Sequence, residues 1–349
     1  MPQGVVTFLR QADAGGKLLN HPNAGGYLRW ALYPRYRIFM DLELPFLFTD
    51  ADMVAAAQMF GDATVLRSVL ARYEPEFLSV PRHYAEFPDV IAEFPRYRPV
   101  FFDDAEVLYV DEKRHPTLAR TYALKTIEPF DLLERGVDDY LKEEDPGGRR
   151  RHARKEQPAR SEAALEAILE EAHRLWAIFP DGGTTNQLLA QAALNHKDYE
   201  TASTHARTLI AQFPGMPIGY RLMGRALRGL RAFEPAVACY TAAIARSTLS
   251  TRYDLLREIG LVRFDQGRYP DAFRLLWNNL DFASHETSLD DLYALAVAAR
   301  RSGQLAQARK ILGYLALRIG PDDELWQSKL RKEHAQLNVA ASNGEPRGA

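Results

Sequence analysis

A single cysteine, Cys239, stands in a chain of 349 residues. That excludes an internal disulfide and any metal site built from several thiolates. Cys239 is most simply a small buried hydrophobe. No apolar run approaches the roughly 20 residues that a membrane-spanning helix requires. The first residues lack a basic region, an apolar core and a small-residue cleavage site in succession. An excess of either charge is also lacking. Lys and Arg number 44 against 46 Asp and Glu, for a formal net charge of −2. No global pull toward nucleic acid or an anionic surface is therefore expected. Neither G-x-G-x-x-G, a Walker lysine nor H-E-x-x-H occurs, and no Ser-His-Asp order can be recognised. What remains is ordinary globular composition, 46% hydrophobic and 26% charged, at a length that suggests two domains.

The C-terminal half is repetitive. A small apolar residue precedes an alanine by twelve positions four times: Ala190 and Ala202, Gly224 and Ala236, Gly260 and Ala272, Ala296 and Ala308. Tyr199, Phe233, Tyr269 and Leu305 stand three residues before those alanines, which lie 34, 36 and 36 residues apart. This grammar resembles the tetratricopeptide (TPR) repeat, whose period is about 34 residues. Such a unit is two antiparallel helices, and the small residues let the two backbones approach. One pair cannot bury its apolar face alone, so neighbours must stack. Polar breaks at 196–198, 265–268 and 301–304 fit the turns, and Pro214 and Pro321 fall where second helices should stop. A helix over 163–179 reads as a leading half-repeat, and one over 323–337 as a closing cap. The resemblance covers about 161–337.

The first 135 residues read as an α/β layer. Strand-length runs at 17–20, 37–41, 77–81, 99–103 and 106–110 are rich in branched or aromatic residues. Helical patterns at 4–12, 26–32, 53–60 and 63–73 fall before and between the first three. Alternation predicts a largely parallel sheet, closed by a hairpin across Asp104-Ala105. The fold class expected is therefore an α/β N-terminal domain (1–135), a flexible charged linker (136–160), an all-α TPR solenoid (161–337) and a disordered tail (338–349).

Ligands of such sheets gather beyond the carboxyl ends of the strands. Those ends carry Asn20 to Gly26, Asp41 to Glu43, Pro81-Arg82-His83 and Asp103-Asp104. Asn20, Asn23, Gly25, Gly26, Tyr27 and Asp41 are the candidate ligand-binding residues. Gly25-Gly26 could offer backbone N–H groups to a phosphate, but a tight turn with Asn23 near an N-cap is the simpler reading. Asp41 and Glu43 could serve acid–base chemistry or be solvated loop carboxylates. His21 and His83 could act jointly or be surface histidines. Asp103-Asp104 is most simply turn chemistry. No nucleophile, base and electrophile stand in recognisable order, so whether the chain is an enzyme stays open, with no catalytic residue, cofactor or metal expected.

The passage from Gly16 through Gly25-Gly26-Tyr27-Leu28-Arg29-Trp30 to Tyr33-Pro34-Arg35-Tyr36-Arg37-Ile38-Phe39-Met40-Asp41 adds a second resemblance. It is similar to the soluble region of bacterial membrane proteins related to dolichyl-phosphate-mannose-type glycosyltransferases. Leu70-Ala71-Arg72-Tyr73 and Phe77 to Pro81 resemble the next helix and strand of that region, so about 2–130 are covered. Two departures stand: Leu42 and Glu43 replace the glycine and arginine of the pattern, and the membrane bundle is absent. The resemblance places the catalytic carboxylates in that bundle, so no residue here inherits them. It implies an extracytoplasmic, membrane-associated appendage if the chain belongs to a longer membrane protein, and a cytoplasmic protein otherwise.

Residues 142–160 pass from acidic residues through Pro146-Gly147-Gly148 to a basic block, Arg149 to Lys155. Such a stretch cannot bury apolar surface and reads as a tether without nucleic-acid character. Two functional classes follow. The first is an interaction module whose TPR groove holds a protein or peptide. Asn186, Arg221, Arg225, Arg228 and Arg257 are its candidate groove residues, and their cationic character suits an acidic segment or carboxylate terminus. The alternative is glycan or lipid-linked-sugar binding by the α/β domain beside a membrane glycosyltransferase.

Overall fold

The computed structural model describes residues 1–42, 48–141, 162–281, 287–320 and 323–344. It divides into two compact units, Met1–His196 and Lys197–Ala349.

The first unit opens with α1 (Gln3–Ala12), β1 (Gly16–Asn20), α2 (Pro22–Leu32) and β2 (Tyr36–Ile38). Helices α3 (Asp50–Gln58) and α4 (Ala63–Tyr73) lead to β3 (Phe77–Pro81), and α5 (Phe87–Ile91) leads to β4 (Tyr97–Phe102) and β5 (Glu106–Asp111). Then come α6 (Pro116–Tyr122), α7 (Pro129–Tyr140), α8 (Glu162–Ile178) and α9 (Gly183–Asn195). The five strands form one sheet in the order β2-β1-β3-β5-β4. Strand β1 runs parallel to β2 and β3, whereas β5 is antiparallel to both β3 and β4. The sheet is therefore mixed, which corrects the expectation of a largely parallel one. The cause is the short turn at 103–105: it permits only an antiparallel return, and the returning arm is the one that pairs with β3.

Leu18, Leu19, Phe77, Leu78, Val80, Val107, Leu108 and Val110 are fully buried. Both faces of the central strands are thus covered, which is why these strands read as continuous apolar runs without alternation. Helices α8 and α9 add Ile168, Leu175, Leu188 and Leu189 to this same core. Of the expected linker over 136–160, residues 136–140 belong to α7, and 142–160 lie outside the described residues.

The second unit contains α10 (Tyr199–Gln212), α11 (Pro217–Gly229), α12 (Phe233–Ile244), α13 (Leu249–Asp265), α14 (Tyr269–Asn279), α15 (Leu289–Arg301), α16 (Leu305–Arg318) and α17 (Glu324–Gly344). Three-residue turns join α11 to α12, α13 to α14 and α15 to α16, so each pair is an antiparallel hairpin. Ala202, Ala236, Ala272 and Ala308 are completely buried. A Cβ added at Gly224 would stand 2.7 Å from the Tyr240 ring, and one at Gly260 would stand 3.0 Å from the Leu276 side chain. The repeat's small residues therefore do what the spacing required of them. These three turns, and the one before α10, each contain one left-handed residue, five positions before the repeat alanine: Lys197, Arg231, Gly267 and Gly303, at φ 62°, 60°, 74° and 78°. Helix α17 continues to Gly344. That corrects the expected tail, which was to begin at 338.

Candidate functional site

Connections leave β1 and β3 in opposite directions across the sheet, so their carboxyl ends form a topological switch point. His21 follows β1 directly. Its Nδ1 accepts the Asn23 backbone N–H at 3.2 Å and caps α2. His83 follows β3. The two imidazole rings lie 6.5 Å apart, with the Tyr84 ring 4.7 Å from His83 and 6.0 Å from His21. Burial, reinforced by His83, holds the His21 pKa below the ordinary histidine range. Two histidines that sequence could only name as possible partners are thus neighbours.

Beside them in the sheet, the Ser79 hydroxyl donates to the Glu106 carboxylate. Glu106 is buried, and burial, with Asp103 nearby, pushes its carboxyl up to about 7. Nothing in the sequence singled out Glu106, which stands at the head of an otherwise apolar strand-length run. It is buried because helices cover both faces at this end of the sheet.

The candidate ligand residues fall into two groups. Asn20, Gly25 and Asp41 come together, but as structure. The buried Asn20 amide donates to the Met40 carbonyl at 2.8 Å, and its oxygen accepts the Phe39 N–H at 2.9 Å. That side chain ties the end of β1 to the segment after β2. Gly25 permits the same approach: its Cβ would stand 2.7 Å from the Asp41 Cα. Asp41 is buried and paired with Arg29 at 3.0 Å. Glu43, its proposed companion, lies outside the described residues. Asn23, Gly26 and Tyr27 lie nearer solvent. The Tyr27 ring stands 6.3 Å from Trp30, whose side chain is largely exposed. A cavity of about 220 Å³ is lined by Arg29, Tyr33, Arg37, Phe39 and Asp41 among others.

Asp103 and Asp104 do more than turn. Asp103 Oδ2 accepts the Gly4 and Val5 N–H groups at 2.9 and 3.1 Å, while Oδ1 accepts those of Ala105 and Glu106. Burial raises the Asp103 pKa in spite of those bonds. Asp104 accepts the N–H groups of Gly183 and Thr184, both at 2.7 Å. One aspartate therefore caps α1 and the other caps α9, each across a long stretch of chain. Arg82 completes the junction through the Asp103 carbonyl, the Thr184 hydroxyl and the Pro129 carbonyl. The Glu171 carboxylate likewise accepts the N–H groups of Lys125, Thr126 and Ile127.

Of the groove candidates, Asn186 is fully buried and donates to the Pro180 and Gly182 carbonyls. Arg221 is half-buried on α11. The other three arginines join a ladder between first helices of successive repeats. Arg225 pairs with Glu258 at 3.0 Å, Arg228 with Asp265 at 2.5 Å, and Arg257 with Asp291. Arg300 continues the series to Glu333 at 2.8 Å. Glu258 is buried where Arg225, Arg228 and Arg257 converge. Burial pulls its pKa up, but Arg225, Arg257 and Arg228 outweigh that and hold it below the ordinary glutamate value. Among the described residues, no group of three or more His, Cys, Asp or Glu side chains could hold a metal ion.

No protein-family model and no curated protein matches the chain. Solved structures do. TTC0263, a thermophilic TPR protein of Thermus thermophilus, is 20% identical over 50% of this chain and 92% of its own, with a TM-score of 0.40. PilW, a type IV pilus biogenesis factor, is 20% identical over 52% and 83%, with a TM-score of 0.43. MamA is 13% identical over 45% and 89%, with a TM-score of 0.38. Likeness at this level carries no argument about function. The repeat character of the helical part rests on its registers.

Proposed function

We propose that the helical repeats of the second unit, α11 to α17, are a protein-interaction scaffold that presents its first helices to a protein or peptide partner. The observation that carries this reading is the ion-pair ladder. Its pairs join residues 33 to 37 apart, which is one repeat, so successive first helices are locked at a fixed spacing. A rigid, regularly charged surface is a recognition device. The ladder also refines the partner. Arg225, Arg228 and Arg257 already face carboxylates, so an acidic ligand must compete with Glu258, Asp265 and Asp291. A segment carrying both charges suits the surface better.

Reversing one rung tests this. Arg228→Glu combined with Asp265→Arg keeps the pair and inverts its polarity. With the full chain as bait, a partner captured by the wild type should be lost by the double variant while the melting temperature stays near its original value. Retention of that partner by a folded double variant would remove this face from the interface.

A second reading has its own support. The cavity beside Asp41, lined by the exposed Tyr33 ring and by Phe39, combines aromatic surface with an Arg–Asp pair. Such a lining suits a saccharide. This reading makes the first unit a glycan-binding or lipid-linked-sugar-binding module in an envelope assembly with a membrane glycosyltransferase. No helix among the described residues is long and apolar enough to cross a membrane. The same pull-down from membranes and from cytosol, repeated with Tyr33→Ala, separates the two readings.

A further inference from the structure

The sheet has a second concavity, at the end opposite His21 and His83. It is a cleft of about 600 Å³ between α4, the turn before β4 and the residues after β5. That volume lies within the ordinary range of small-ligand sites, about 300–1,000 Å³. Its floor is apolar, with Leu70, Phe94 and Pro95. Five cations from three separate elements surround that floor: Arg67, Arg96, Arg98, Lys113 and Arg114. Two of them are held against rings. The Arg67 guanidinium lies 5.6 Å from the Phe94 centroid, and that of Arg96 lies 4.9 Å from Tyr97. Stacking of this kind orients a guanidinium before any ligand arrives.

Three glutamates also line the cleft, Glu74, Glu93 and Glu112, so the lining carries five cations against three anions. Arg67 pairs with Glu93, Arg98 with Glu112 at 2.9 Å, and Arg114 with Glu74 at 3.2 Å. All six side chains are between 39% and 63% exposed. Exposed pairs of this kind are weak and screened by solvent, so a stronger anion can displace the glutamates. Glu76 and Asp111 hold Arg114 and Arg96 from outside the lining. Lys113 is exposed and has no side-chain partner among the described residues. Arg67, Arg98 and Lys113 are therefore the cations a ligand can engage.

We propose that this cleft binds a phosphorylated small molecule or headgroup, its doubly charged phosphate groups on Arg67, Arg98 and Lys113 and its apolar body on Leu70 and Phe94. A singly charged anion gains too little to displace Glu93 and Glu112. A phosphate or diphosphate presents several acceptor oxygens to guanidinium forks and does displace them. The proposal is independent of the scaffold reading, because it concerns only the first unit.

The test uses the full chain. Inorganic pyrophosphate is titrated by calorimetry, and vesicles containing phosphatidic acid are co-sedimented. Each is repeated with Arg98→Glu, with Lys113→Glu, and with Arg149, Arg150 and Arg151 all changed to Ser. The last variant controls for the basic run, which attracts any polyanion. Pyrophosphate affinity should fall about tenfold or more in the Arg98 and Lys113 variants and stay unchanged in the triple variant. The same pattern with vesicles alone would identify the source as a lipid headgroup. Absence of binding by both probes overturns the proposal, and so does binding that only the triple variant loses. Should a charge reversal fail to fold, Arg98→Gln and Lys113→Gln give the same readout with a smaller effect.

Discussion

At the scale of the residue, polar side chains in the first unit are mostly committed to holding backbone. Asn20, Asp103, Asp104 and Glu171 each accept or donate bonds that a loop or helix end would otherwise lack. Sequence named three of these four, yet as ligand or turn residues, because their backbone partners lie up to 99 positions away. Glu106 differs, since its carboxyl is raised to about 7 by burial. Below the ordinary glutamate pKa of 4.5, folded and unfolded chains both hold the proton. As pH rises from 4.5 toward 7 the unfolded chain releases it first, so stability falls across that window. The full difference corresponds to roughly 3 kcal/mol. Urea unfolding near pH 5 and pH 8 should show a loss of about that size in the wild type and little in Glu106→Gln. Equal pH slopes in the two proteins would place the titration elsewhere.

At the scale of the element, the helix pairs were legible because their constraint is local. Gly224, Gly260 and the four buried alanines stand where two helix backbones meet, and that requirement leaves a trace at fixed spacing. The turns were half legible. Gly267 and Gly303 announce their left-handed conformation, whereas Lys197 and Arg231 adopt it without a glycine. The ladder was not legible as a ladder: Arg225, Arg228 and Arg257 were visible, but their acceptors belong to the next repeat. Its centre is Glu258, buried against three arginines. Glu258→Gln removes the carboxylate from beside Arg225 and leaves Arg228 and Arg257 with Asp265 and Asp291 alone; breaking a buried pair typically costs about 3–5 kcal/mol. Because the folded-state pKa is depressed, the contribution of Glu258 is present above pH 4.5 and is lost as pH falls through the lower folded value. Denaturant unfolding at neutral pH should therefore separate the variant from the wild type, and the gap should close in acid.

At the scale of the molecule, the strands of the sheet were placed from sequence to within a few residues, but their order was not. Insertion of β5 between β3 and β4 depends on which hairpin arm meets β3, and nothing in either arm's composition distinguishes them. The helices after β5 escaped notice because α6 and α7 are short and their apolar residues serve a core built mainly by distant strands. With two compact units, calorimetry of the full chain should resolve two transitions. Asp103→Ala should lower one and Glu258→Gln the other, with the double variant additive. A single transition moved by both would show that the units unfold together.

The turn at Asp103-Asp104 has a mechanical side. Adjacent residues there grip the start of α1 and the start of α9, while Arg82 grips α9 and the carbonyl that opens α7. Tension applied along the chain at α9 is therefore delivered through Asp104 and Arg82 into the middle of the sheet, where β3 and β5 lie side by side. A pull on that helix loads several hydrogen bonds in parallel, all anchored in one rigid turn. Helix α9 cannot leave the sheet without first breaking the Asp104 and Arg82 bonds.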